Sequence, residues 1–357
     1  MQITTMQMLR TRAIAILLAA LSVQVHVLAQ AEKIVSAPEL IVQNKVLYRQ
    51  SFGEIMDMLH GKRTMSLKRA VFLCENAYFN GQLDYGNYCA VIADISDRVK
   101  KMVSDKGVRG YRTCYNWAIY SYLVDSSAYN RHNPYRYDFE HFLGEEKVSN
   151  GFVTKLLSTH KGNCTSLPLL YQIVCREVGG EAYLVTVPHH LYVKHRGEDG
   201  RWVNVELTHG GFPRDQWIIE SCNVTVEGIR SGAYMKPMTP QEELSFVIFN
   251  MAVAYHRQFG YDEFALQMVD SGVAHYPRLI CLLMEKANCH MALADQERNK
   301  RGGRCDTAYM NRHLRMNARI RERCSELGLS PFSNEDYAAL VKRVFEERDR
   351  RKRESKR

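Results

Sequence analysis

Residues 161–208 read KGNCTSLPLLYQIVCREVGGEAYLVTVPHHLYVKHRGEDGRWVNVELT, and the hydrophobic period changes within them. From Cys164 to Val178 the apolar residues Leu167, Leu170, Tyr171, Val174 and Val178 recur at helical spacing, and Gly179-Gly180 stops the run. From Glu181 to Val187 the pattern alternates as in a strand. His190 to Lys194 reads as a second strand, Gly197 to Gly200 as a turn, and Arg201 to Thr208 as a third strand. A helix followed by an antiparallel meander predicts an α+β unit with the helix N-terminus near the strands.

Three pieces of this stretch carry chemistry. Cys164 opens the helix, where unpaired N–H groups and the positive dipole end favour a thiolate. Its own N–H is placed to face a developing oxyanion. Pro188-His189-His190 stands at the head of a strand, where a neutral imidazole takes the thiol proton and returns it to a leaving group. His189 and His190 compete for that role. On the third strand Trp202, Asn204, Glu206 and Thr208 share one face, while Val203, Val205 and Leu207 point the other way. A polar residue of that face holds the imidazole in its useful tautomer, and both Asn204 and Glu206 qualify.

Gly162-x-Cys164 opening a helix, His190-x-Tyr192 on a strand, and Trp202-x-x-x-Glu206-x-Thr208 on the next strand together resemble the transglutaminase-like superfamily of papain-like cysteine enzymes. The resemblance covers roughly residues 150–225. It implies a core in which the helix bearing the Cys packs on an antiparallel sheet, flanked by helical regions. It implies Cys164 as nucleophile, His190 as base and Glu206 as the orienting residue. His190 fits the His-x-aromatic pattern, which leaves His189 as a turn or supporting residue. Asn163 and Thr208 are expected to support the site through local hydrogen bonds, and Trp202 to form core and site wall. The family usually has Asp where Glu206 stands, and papain-like enzymes often use Asn, so Asn204 stays open as the third residue. The activity implied is attack on a protein or peptide amide through a Cys164 thioester, with hydrolysis favoured over acyl transfer. That chemistry calls for no metal and no cofactor. The competing reading is a catalytically silent scaffold whose C-terminal helices bind a protein partner.

The rest of the chain frames this core. Arg10 and Arg12, the apolar run Ala13 to Leu21, and Ala29-Gln30-Ala31 predict a signal peptide over 1–31 and export to the periplasm or beyond. No second run of about 18 apolar residues follows, so the mature chain is expected to have no transmembrane span. Residues 32–149 read as a helical N-terminal region, with Ser66 as a cap and a turn at Gly81, followed by an irregular aromatic stretch from Ser126 to Asn150. The core is expected over 150–235 and a helical region over 236–347. There Pro240–Phe259, Asp262–His275 and Leu279–Ala292 are amphipathic, the first pair has the cadence of one tetratricopeptide repeat, and the family subset that the chain resembles is the bacterial one carrying such helices. A last helix is expected from Ser333, with Asp336 in its first turn and a basic tail at 348–357.

Charge follows the same division. The chain carries a net +9, but residues 296–357 hold 18 basic and 10 acidic residues, and residues 32–295 hold 28 and 29. A neutral body with a basic C-terminal part does not predict a nucleic-acid partner, since such proteins carry their basic patch on the folded domain. The ten cysteines are irregularly spaced, and no C-x-x-C occurs, so neither a disulfide scaffold nor a structural zinc site is expected. His160, His195 and His209 read as exposed loop histidines.

Overall fold

The computed structural model describes residues 38–142, 147–300, 305–329 and 334–354, so the expected signal peptide lies outside the described residues. Helices α1 (Pro38–Leu59), α2 (Leu67–Tyr78), α3 (Tyr85–Asp105) and α4 (Cys114–Val124) precede the sheet. Ser66 begins α2 as expected, its hydroxyl accepting from the Arg69 N–H at 3.2 Å. Asp84 caps α3 in the same way, accepting from the Asn87 N–H at 2.9 Å. Their apolar faces, including Ile55, Ile92, Val99 and Ile119, meet in one core. Each such side chain, fully buried, contributes about 1.5–3 kcal/mol.

The expected irregular stretch contains one short strand, β1 (Arg136–Tyr137), paired in parallel with β2 (Lys161–Gly162). Between them lies α5 (Val153–Thr159). Its first N–H groups would be orphans, but the buried Glu75 of α2 accepts from Val153 N at 2.7 Å and Thr154 N at 2.8 Å. Then come α6 (Ser166–Val178), β3 (Tyr183–Val187), β4 (His190–Arg196) and β5 (Trp202–Val205). Gly179 ends α6 at φ 76°, a conformation that costs glycine nothing.

The three strands form an antiparallel sheet in the order β3-β4-β5. Leu184, Leu191, Val193 and Val205 join the core that contains α6. Val185, Val187 and Tyr192 join a second cluster with Ile218, Tyr234, Leu283 and Ile320. Both faces of the sheet are therefore covered, which is why the strands are more apolar than a half-exposed sheet requires. His195 corrects the expectation of a loop: β4 runs on to Arg196, and His195 is buried within it.

After the sheet come α7 (Asp215–Ser221), α8 (Val226–Arg230), α9 (Pro240–Phe259), α10 (Glu263–His275), α11 (Ile280–Arg298), α12 (Thr307–Glu326) and α13 (Asn334–Glu354). Helix α9 starts with a capping box, Thr239 and Glu242 each accepting from the other's backbone N–H, and with Pro240 in its first turn. Helix α13 continues to Glu354, so the stretch expected as a basic tail is helical over most of its length; the expected cap at Ser333 lies outside the described residues. None of the ten cysteines is in a disulfide.

Candidate active site

The segment that carries Cys164 is fixed by three neighbours of that residue. The Asn163 side chain accepts from Thr165 N at 2.9 Å and from Ser166 N at 3.3 Å, and the Ser166 hydroxyl accepts from Asn163 N at 3.1 Å. Asn163 thus does the work of a helix cap from inside the turn, and α6 starts at Ser166, two residues later than the periodicity suggests. Gly162 is required by space: a Cβ there would lie 2.4 Å from Ser166 Oγ and 2.8 Å from Leu156 Cδ1. Gly162 also sits opposite Tyr137, and its carbonyl accepts from Asp138 N at 2.7 Å. Cys164 is left half-buried at the mouth of the helix. Among the described residues its N–H has no protein acceptor.

His190 is delivered by a two-residue hairpin. Val187 and His190 are cross-strand partners, so Pro188 and His189 form the turn. Pro188 presets the first turn position, and His189 takes φ 56°, the left-handed region. Glu206 follows β5 directly and forms a bridge with Gly211, so the expected strand to Thr208 stops at Val205 and turns back. Lys194 lies opposite Asn204. Continuing that register sets Glu206 opposite Tyr192 and on the diagonal from His190, on the same face.

The diagonal is closed by a hydrogen bond: His190 Nε2 lies 2.5 Å from Glu206 Oε2. The other carboxylate oxygen, Oε1, accepts from the Thr208 N–H at 2.8 Å and the Thr208 hydroxyl at 2.6 Å. The Cys164 side chain is near enough to act on the same imidazole, favouring its charged form. With Nε2 taken by Glu206, Nδ1 is the nitrogen left for the thiol. The sequence-predicted Cys164, His190 and Glu206 are therefore brought together.

The electrostatics follow from burial and charge. Burial alone would lower the His190 pKa, but the Glu206 carboxylate and the Cys164 sulfur favour the charged ring and hold it well above the usual imidazole range. Burial likewise opposes the Glu206 charge, and the imidazolium with the two Thr208 donors more than offsets it, so this carboxyl sits below its usual range.

The remaining expected residues divide. Asn204 is buried beside Glu206 but donates to Pro213 O at 2.9 Å and Asp215 Oδ1 at 2.8 Å, tying β5 to the start of α7. Trp202 stands at the far end of β5, partly exposed, with the Arg196 guanidinium 3.7 Å over its ring and Tyr183 against its edge. It does not wall the site. Two residues not anticipated lie near these three side chains. Burial, with the charges of Cys164 and Glu206, pushes the Tyr137 phenol up. Cys222 is raised chiefly by burial and feels His190, Glu206 and Cys164. Tyr137 belongs to an irregular segment and Cys222 to the end of a short helix, so neither is marked by a periodic pattern.

A groove of about 470 Å³ lies elsewhere, between α1 and α10, lined by Arg49, Phe52, His60 and Phe264. Among the described residues no group of three His, Cys, Asp or Glu side chains is placed to hold a metal ion, and no helix is long and apolar enough to cross a membrane.

Residues 88–240 match the family model described as the transglutaminase-like superfamily, so this stretch is a transglutaminase-like domain within a mixed α+β chain. The match takes in α3 and α4 as well as the segment from Cys164 to Glu206. No curated protein and no solved structure matches the chain at a significant level.

Proposed function

We propose that the transglutaminase-like domain is a cysteine enzyme that cleaves protein or peptide amides, with Cys164 as nucleophile, His190 as acid and base, and Glu206 as the group that orients and charges the imidazole. The observation that carries this reading is the 2.5 Å contact of His190 Nε2 with Glu206, on an imidazole whose charged form the nearby Cys164 sulfur also favours. In the first half-reaction the Cys164 sulfur attacks the amide carbonyl carbon, and the Cys164 N–H faces the oxyanion that forms. The C–N bond breaks, the amine leaves with a proton from His190, and a thioester remains. In the second, His190 takes a proton from water, the hydroxide adds to the thioester, and the acid departs as the thiol is restored. Resemblance to bacterial members of the family supports water, rather than an amine, as the second acceptor. The Arg10–Ala31 pattern supports export of the mature chain.

Labelling by a peptide-based electrophilic acyl probe tests the assignment. Wild-type protein should label at Cys164 alone among the ten cysteines. Cys164→Ala should abolish labelling, and His190→Ala should slow it by about 100-fold or more. Labelling of several cysteines at similar rates, untouched by His190→Ala, would instead favour the silent scaffold.

A further inference from the structure

The C-terminal helix α13 reaches both walls of the triad. On one wall, the Arg351 guanidinium donates to the Thr208 carbonyl at 2.6 Å, and Thr208 is the residue that holds Glu206 Oε1. One turn earlier Glu347 lies 3.7 Å from His209 Nδ1, and Arg343 donates to the Ser221 carbonyl at 3.1 Å, beside Cys222. On the other wall, the Phe345 ring meets the edge of Phe142 at 6.4 Å, and the Phe142 carbonyl accepts from the Asn163 side chain at 3.4 Å, next to Cys164. Arg351 also stands 5.2 Å over the Phe139 ring on that side.

These two walls come from segments far apart in the chain. Residues 139–142 follow β1, which pairs with the strand leading into Cys164; residues 208–221 follow Glu206. A helix anchored to both ties together the segments that carry the nucleophile and the acid. Its anchors are few, and most lie on exposed or half-buried side chains, as expected of an element that can detach without unfolding the domain. Glu347 bonds both Arg350 and Arg351, which fixes the guanidinium of Arg351 from within the helix. Such a run of arginines has no need of a defined rotamer when it is merely solvated.

We propose that α13 is an intramolecular strap across the Cys164–His190 opening, which shuts out large amide substrates until it lifts. The proposal rests on the reading of Cys164 as the reactive thiol. A strap of this kind scales the apparent reactivity toward a bulky substrate by the fraction of molecules in which it is released, while a small reagent slips past it.

The test uses the full chain and two electrophiles, iodoacetamide and a peptide chloromethyl ketone, each followed at Cys164. Arg351→Glu breaks the anchor to Thr208 and places a like charge beside Glu347. The peptide reagent should then react about tenfold faster or more, and iodoacetamide less than about threefold faster. Phe345→Ala removes the anchor on the opposite wall without a change of charge and should move both rates in the same direction. Lys342→Glu, on the outward side, where Lys342 is exposed and pairs only loosely with Glu346, should move neither. Thermal melting of each variant shows that the domain stays folded. A peptide rate that is unchanged or lower in both Arg351→Glu and Phe345→Ala overturns the strap. Adding His190→Ala to the Arg351→Glu chain separates the two claims. If that substitution leaves the iodoacetamide rate untouched, the catalytic reading fails, whereas the ratio of the two reagents judges the strap alone.

Discussion

Thr208 holds the oxygen of Glu206 that His190 does not use, through its N–H at 2.8 Å and its hydroxyl at 2.6 Å. The carboxylate is thereby turned with one lone-pair edge toward the ring and cannot swing to solvent. Thr208→Val keeps the shape and the N–H but removes the hydroxyl. A lost hydrogen bond to a charged group is worth about 1.5–3 kcal/mol, so Cys164 acylation should slow by about tenfold or more. Stopped acylation kinetics on the purified variant measure it, and an unchanged rate would mean that the orientation of Glu206 does not matter.

Asn204 behaves as a structural tie. Its side-chain amide joins Pro213 O and Asp215 Oδ1, not the imidazole. Asn204→Ala should therefore cost about 1–3 kcal/mol in urea unfolding, since two part-buried hydrogen bonds of a buried amide are lost. Cys164 reactivity per folded molecule should stay within about twofold of wild type.

Gly162→Ala probes the Cys164 segment from behind. Its Cβ would fall within 2.4 Å of Ser166 Oγ, the group that accepts from Asn163 N, so the cap and the new methyl cannot both keep their places. A destabilisation of about 1–3 kcal/mol is expected, together with slower alkylation of Cys164, because the displaced turn carries the sulfur. Stability by thermal melting and reactivity by iodoacetamide should fall together.

Stability should also carry a pH signature from Glu75. Burial raises its pKa to about 7, against the donors at Val153 and Thr154 that lower it. The folded state thus holds the proton more tightly than the unfolded chain. The stabilising effect is complete below the unfolded value near 4.5 and is lost as pH rises through about 7. The loss for this group is about 3 kcal/mol. Glu243, also raised to about 7 by burial, adds a slope of the same sign. The difference in unfolding free energy between wild type and Glu75→Gln, measured from pH 4 to 8, should move in favour of the variant by about that amount.

Much of the core was legible because it obeys one rule at a time. The helical recurrence from Leu167 to Val178 and the glycine stop at Gly179 placed α6 to within two residues. The alternation in 183–187 and 190–196 follows the strands. Period 2 cannot separate Asn204 from Glu206, because both lie on one face; in the fold Asn204 bonds the start of α7 while Glu206 meets the imidazole. The same period grouped Trp202 with the site, yet four residues of extended chain set it about 13 Å from Glu206 along the strand. Tyr137 lies near Cys164 and Glu206 on a segment that has no period to read. The contact of Arg351 with Thr208 joins residues 143 apart, and a run of basic residues reads as solvated until a tertiary partner is visible.

The most direct test of the central claim is the rate of Cys164 alkylation against pH for wild type, His190→Ala and Glu206→Gln. A carboxylate against Nε2 holds the imidazolium well above its usual range, so wild type should keep a reactive thiolate–imidazolium pair across neutral pH. Glu206→Gln removes that charge and should lower the acylation rate by about tenfold or more and move the basic limb of the profile to lower pH. His190→Ala should abolish the limb and leave a single thiol titration. Profiles for Glu206→Gln and His190→Ala that overlay wild type would contradict the account, and the domain would then have to be read as a scaffold whose Cys164 is an ordinary thiol.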